Sequence, residues 1–256
     1  MNLGVVSISA PRLQSLHISC LDTDDWDNLT SCQVMIFGPS IKYFSYNGQL
    51  VDEYCLCSCS ILVEASVICI DLIHREREVV YRINKLLREF SNIKCLSLTG
   101  QAIEVLKWAE ELFVHLPVFH NLTKLEVVPG SLELNCRGLH HILRNCPSLE
   151  SAIFDSITCA AHPENDDQIL NSLPSCFLSR LKSITIVMFE GIDEELSVLR
   201  ILLKNTPVLE RMAINCLVDF EGGSDEKKEV HYQLVALFRR FTSSITYTAW
   251  FRTYDL

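Results

Sequence analysis

Glycine and proline are scarce, 9 and 8 residues in a chain of 256. That excludes collagen-like and low-complexity linker architectures and calls for regular elements with short connections. Basic residues are outnumbered, 22 Lys and Arg against 32 Asp and Glu, a net charge of −10. With no Lys/Arg cluster anywhere, a phosphate-binding face is not expected, because nucleic-acid affinity rests on such clusters releasing counterions. Nor is there a long apolar run. The longest stretch free of charge, Asn28 to Ile41, is 14 residues with several polar ones, too short to span a bilayer. Met1 to Ile8 has no Lys or Arg before a short apolar run broken by Ser7, a poor secretory signal. The expectation is a chain of the cytoplasm and/or nucleus with neither a nucleic-acid nor a membrane partner.

The sequence also lacks Gly-x-x-x-x-Gly-Lys, Gly-x-Gly-x-x-Gly, Gly-x-Ser-x-Gly and His-Glu-x-x-His. No enzyme, no catalytic residue and no cofactor are expected. Asp22, Asp24, Asp25 and Asp27, like Glu164, Asp166 and Asp167, lack the spacing and glycine of a calcium loop and read as solvated loops. His140-His141 reads as one solvent-facing imidazole and one helix-surface neighbour. Cys55-Leu56-Cys57-Ser58-Cys59 invites a metal, but on a strand all three thiols would point one way, whereas tetrahedral zinc needs ligands wrapped round it. These cysteines are read as small core residues, no metal is expected, and the 12 cysteines of the chain are expected to be free buried thiols.

What is abundant is leucine, 36 of 256 residues in a chain 48% apolar. The excess is periodic. A unit apolar-x-x-apolar-x-apolar recurs at Leu13-Leu16-Ile18, Ile41-Phe44-Tyr46, Leu62-Ala65-Val67, Ile93-Leu96-Leu98, Leu122-Leu125-Val127, Leu149-Ala152-Phe154, Leu181-Ile184-Ile186 and Leu209-Met212-Ile214. Its first positions are 28, 21, 31, 29, 27, 32 and 28 residues apart, about 28 on average. The intervening positions are mostly polar, and alternation at period two marks a strand with one buried face. Pro11, Pro39, Pro147 and Pro207 each precede a unit by two places.

Apolar helical stretches fall between the units, at Arg75 to Phe90, Gln101 to Leu112, Arg137 to Asn145, Ile192 to Asn205 and Val230 to Phe241. Two match closely, Leu139 to Glu150 and Leu199 to Glu210. In each, a cation (Arg144, Lys204) meets the negative end of the helix, Asn145 or Asn205 is placed for a left-handed cap, and proline forces extended chain. A strand and a helix repeated about every 28 residues make an α/β leucine-rich-repeat solenoid, with parallel strands on the concave side and helices on the convex side. Regular versions carry Asn or Cys three places after the last apolar strand position. Here those places hold Leu21, Gln49, Ile70, Gln101, Gly130, Ile157, Phe189 and Leu217, so the repeats are irregular. Glu221 to Glu229 reads as a flexible connection, and Ile245 to Phe251 as a last strand.

The run Leu173 to Ile184, then Phe189-Glu190-Gly191, Glu195-Leu196, Leu202-Leu203-Lys204-Asn205 and Val208 to Met212, resembles the FBD domain that ends plant F-box/leucine-rich-repeat proteins. Ser9 to Leu16, Leu116 to Glu126 and Cys146 to Ser151 resemble the repeats of the same family. The resemblance implies a repeat region over 1–172 and an FBD-like region over 173–256 that continues the solenoid. It also implies a non-enzymatic interaction module, the substrate-recognition part of an SCF-type ubiquitin ligase receptor. Nothing in the first 60 residues resembles the F-box that binds Skp1, so Skp1 binding is not expected, and a stand-alone scaffold or decoy unconnected with ubiquitination is the alternative. A protein target is expected on the concave face, presented by His17, Tyr43, Asn47, Lys124, Glu126, Asp155, Arg211 and Asn215. The segment Leu3 to Ile18, with Arg12 its only charge, is expected to leave an exposed apolar edge.

Overall fold

A computed structural model describes residues 4–20, 32–69, 76–106, 116–159, 173–216, 224–241 and 246–251. Within these, two kinds of element alternate along the chain without exception. The strands β2 (Ser15–Ser19), β4 (Tyr43–Gly48), β6 (Glu64–Cys69), β7 (Cys95–Leu98), β8 (Lys124–Glu133), β9 (Ser151–Thr158), β10 (Ser183–Phe189), β11 (Arg211–Cys216) and β12 (Thr246–Phe251) form one parallel sheet in chain order. Between them lie β1 (Gly4–Ser9), β3 (Cys32–Phe37), β5 (Glu53–Cys57), α1 (Glu76–Glu89), α2 (Gly100–Val105), α3 (Arg137–Arg144), α4 (Ser175–Arg180), α5 (Asp193–Asn205) and α6 (Ser224–Phe241). The described residues therefore form nine units, each an outer element followed by a strand of the main sheet.

All eight sequence units lie on consecutive main-sheet strands or the turns leading into them, and 21 of their 24 apolar positions are buried. The three exceptions, Leu13, Leu16 and Ile18, belong to the first unit, which has no described strand beyond it. One turn recurs before the strands. The N–H of the unit's first apolar residue donates to the carbonyl three places back, Leu13 to Ala10, Ile41 to Gly38, Leu149 to Cys146 and Leu209 to Thr206. Pro11, Pro39, Pro147 and Pro207 occupy the second turn position, where their fixed φ is already correct. Leu62, Ile93 and Leu122 close the same turn without proline. A second device joins neighbouring units: one carbonyl accepts two successive amides of the next, as Gln14 does from Lys42 and Tyr43, and Lys182 from Glu210 and Arg211.

The outer layer corrects one expectation. Helices fill it only from the fourth unit onward, and in the first three units it is a second parallel sheet, ordered β1-β3-β5. For β5 the spacing gives the reason: 21 residues separate Ile41 from Leu62, little room for a helix plus two connections, whereas an extended five-residue strand covers the distance. The two kinds of layer meet where α1 packs on β5. Helix α1 buries Val79, Val80, Ile83, Leu86 and Leu87, one stripe at helical spacing. At Gly138 an added Cβ would lie 2.0 Å from the Ile103 carbonyl oxygen, so glycine lets α3 close onto α2.

Four local readings are also revised. Asn145 does not take the left-handed conformation (φ −93°); instead its Nδ2 donates to the His141 carbonyl at 2.9 Å, and Asn205 Nδ2 does the same to Ile201 at 2.7 Å. The next side chain follows suit, with Cys146 Sγ donating to Ile142 and Thr206 Oγ1 to Leu202. His140 is buried rather than solvent-facing, and His141 is half-buried. Because a carbonyl can only accept, His140 carries its proton on Nε2, which donates to Leu134 at 2.9 Å. Helix α6 begins at Ser224, six residues earlier than expected, taking in the second half of the supposed connection. All 11 described cysteines are free, but only Cys69, Cys146, Cys159 and Cys216 are buried. Residues 107–112 of the second expected helix, and both acidic runs, lie outside the described residues.

Candidate interaction surface

Alternation along the main strands sends every second side chain away from the core, and parallel in-register pairing lines these side chains up across units. The first outward row runs Ser15, Tyr43, Glu64, Cys95, Lys124, Ser151, Ser183, Arg211. The second runs His17, Ser45, Ser66, Ser97, Glu126, Ile153, Thr185, Ala213. Asn47, Asp155 and Asn215 lie two residues further along their own strands.

All eight expected contact residues point outward, on β2, β4, β8, β9 and β11, but they do not converge on one point. His17 pairs in register with Ser45, and Tyr43 with Ser15. His17, Tyr43 and Arg211 are exposed, whereas Asn47, Lys124, Glu126, Asp155 and Asn215 are half-buried. At the centre Lys124 Nζ lies 2.6 Å from Glu126 Oε1, and that hydrogen bond holds the ammonium above its ordinary pKa. The Asp155 carboxylate accepts from Gly130 N at 2.9 Å. Both central carboxylates are thus partnered within the sheet, and the open charge lies toward Arg211.

The register adds what the sequence reading passed over. Glu64 and Cys95 stand in the first row beside Lys124, and burial pushes the Cys95 thiol up to about 11, so it stays protonated at neutral pH. Ser45, Ser66 and the buried Ser97 make the first half of the middle row a strip of short hydroxyls, and Thr185 adds one beyond Glu126 and Ile153. Short side chains let another backbone come close, and hydroxyls both donate and accept. The visible signal was the run of small polar residues between the apolar positions.

The FBD phrase acquires a structural reason. Phe189 is core, Gly191 turns with φ 85°, and an added Cβ there would lie 2.6 Å from Val230 Cγ2 of α6. Glu195, at the head of α5 and 1% exposed, accepts from Glu190 N at 2.9 Å, Gly191 N at 2.8 Å and Ser156 Oγ at 3.2 Å. Loss of water raises its pKa, and the two amides and the hydroxyl pull it back.

Cys55 and Cys57 are not core residues: Tyr54 and Leu56 take the inward positions of β5, leaving both thiols half-exposed on the outer layer. Among the described residues no group of three or more His, Cys, Asp or Glu is arranged to hold a metal ion. No described helix is long and apolar enough to cross a membrane.

The model of the FBD family matches residues 168–214. Among curated proteins, the chain is 26% identical to an F-box/LRR-repeat protein of Arabidopsis thaliana over 93% of this chain and 52% of the relative. It is 28% identical to a putative F-box/FBD/LRR-repeat protein of the same plant, over 82% of the chain and 44% of the relative. An FBD-associated F-box protein, also from Arabidopsis thaliana, is 26% identical over 84% and 47%. The chain spans about half the length of these relatives. It is similar along most of its length to plant F-box/leucine-rich-repeat proteins, and it carries the FBD segment for which some of them are named.

Proposed function

We propose that the chain is a non-enzymatic protein-binding module, and that it holds a protein target on the outer face of the main sheet as the substrate-recognition part of an F-box-type ubiquitin ligase receptor. The observation that carries this reading is the register. Eight consecutive strands, β2 to β11, line up a mostly polar outward face, while their opposite face is spent on the core. Relatives named for an F-box supply the ubiquitin connection.

The face offers hydroxyls along its middle and an exposed cation toward its C-terminal side. A target segment with free carbonyls and a carboxylate complements it. A receptor of this kind works in the cytoplasm and/or nucleus, and imaging of a fluorescent fusion tests that expectation.

A photo-crosslinking residue at Thr185, compared with one at Arg200 on the exposed side of α5, tests the face in plant cells. Crosslinks to the same protein from Thr185 alone, reduced by Arg211→Glu, and stabilisation of that protein when the chain is removed, are expected. Equal crosslinking from both positions overturns the choice of face. A captured protein whose level does not change favours the stand-alone scaffold.

A further inference from the structure

The outer sheet carries a concentration of sulfur that the proposed function does not use. On β5 Cys55 and Cys57 are half-exposed on one face, and Met35 of β3, also half-buried, is the register partner of Cys55. Paired residues on parallel strands point to the same side, so the three sulfurs share it. Ser58, with φ 62°, ends the alternation, and Cys59 packs against the core instead of joining them.

Alternate strand residues stand about 6.6 Å apart, close to the upper limit of about 6.8 Å for the Cα atoms of a disulfide. They also lie in a line, which does not wrap a tetrahedral ion. Two sulfurs in line, with a thioether on the neighbouring strand, suit a soft monovalent cation of low coordination number, and thiolate and thioether are the ligands that select Cu(I). Donors reach Cys55, while the Glu89 carboxylate lies on the Cys57 side. Lys85 of α1 is ion-paired with Glu53 and hydrogen-bonds Cys55 as well, and Gln33 Nε2 donates to Cys55 Sγ at 3.6 Å and Glu53 Oε1 at 3.2 Å.

We propose that Cys55 and Cys57, with Met35 as a third sulfur, form a surface site for one Cu(I) ion. Two thiols each lose a proton to solvent, two sulfur–copper bonds form, and the metal keeps its oxidation state. The resulting complex has one negative charge, which the Lys85 ammonium faces. Gln33 and Lys85, both hydrogen-bonded to Cys55, hold its sulfur in place for the metal.

The test uses the full reduced chain under anaerobic conditions, titrated with Cu(I) held by bicinchoninate. One equivalent is expected to leave the chelator and to appear as a single added copper in native mass spectrometry. Cys55→Ser with Cys57→Ser should abolish this uptake, Met35→Leu should weaken it about tenfold, and Cys95→Ser, a half-exposed thiol on the other sheet, should leave it intact. X-ray absorption on the wild-type complex should show two or three sulfur neighbours, which guards against a double variant that folds poorly. Copper left on the chelator, uptake unchanged in the double variant, or nitrogen and oxygen neighbours each overturn the proposal.

Discussion

The Glu195 carboxylate accepts the amide proton of Gly191 at 2.8 Å and so folds the β10–α5 connection back over the head of its own helix. One buried carboxylate thereby satisfies two loop amides and ties them, through Ser156, to β9 of the preceding unit. Glu195→Ala takes the charged acceptor away from two part-buried amides and from Ser156, and a loss on the order of 2 kcal/mol is expected in chemical denaturation. Gly191→Ala adds a clash with Val230 to a left-handed backbone, and should cost upwards of about 1 kcal/mol.

The solenoid core is continuous, so a cavity in one unit is felt by its neighbours. Leu125, fully buried on β8 between β7 and β9, is a suitable probe. Leu125→Ala should lower unfolding free energy by about 2–5 kcal/mol. Thr185→Ala, on the outward face two units away, should change it by less than about 0.5 kcal/mol.

Burial lowers the pKa of His140 below its ordinary 6.5, and the nearby Arg144 cation adds to the effect. As the pH falls through 6.5, the unfolded chain takes up a proton that the folded chain refuses, so stability contributed by neutral His140 is lost from there downward. His140→Gln keeps a donor for Leu134 and removes the titration. Its melting temperature should fall less than that of the wild type between pH 7.5 and pH 5, and an identical fall in both would count against this assignment.

At the first unit, Val5, Val6 and Ile8 of β1 are 62%, 47% and 39% exposed, and no described strand pairs with the free side of β1. Exposed apolar strand edges recruit other strands. Light scattering should show mass rising with concentration, and Val6→Lys should suppress that rise.

Most of the main sheet was legible because leucine-rich units repeat a pattern whose period, two, is that of a strand. Ile184, Ile186, Met212 and Ile214 could be assigned to the core before any coordinates. The outer sheet was hidden: Val5 to Ser9 and Tyr54 to Cys57 are too short for periodicity to separate from noise, and the repeat rule predicted helices between strands. The cap at Asn145 stands where the sequence puts it, whereas α5 runs through Asn205 to a cap at Thr206, and the pattern does not say whether backbone or side chain closes either end. For the interaction surface, the outward positions could be read, yet the Lys124–Glu126 pair and the Gly130 contact that quiets Asp155 depend on rotamers and a bulge in β8 that no pattern encodes.

The change of outer layer between β5 and α1 also sets how far the structure turns at each step. Neighbouring strands sit about 4.8 Å apart, and neighbouring helices about 8–10 Å. In the first three units both layers are strands and can advance at the same spacing, which calls for little turning from unit to unit. From α1 onward the outer layer needs about twice the advance of the inner one, and each unit must rotate about the sheet to accommodate it. A partner spanning both regions is therefore expected to meet a flatter stretch followed by a more curved one, which small-angle scattering of the chain tests.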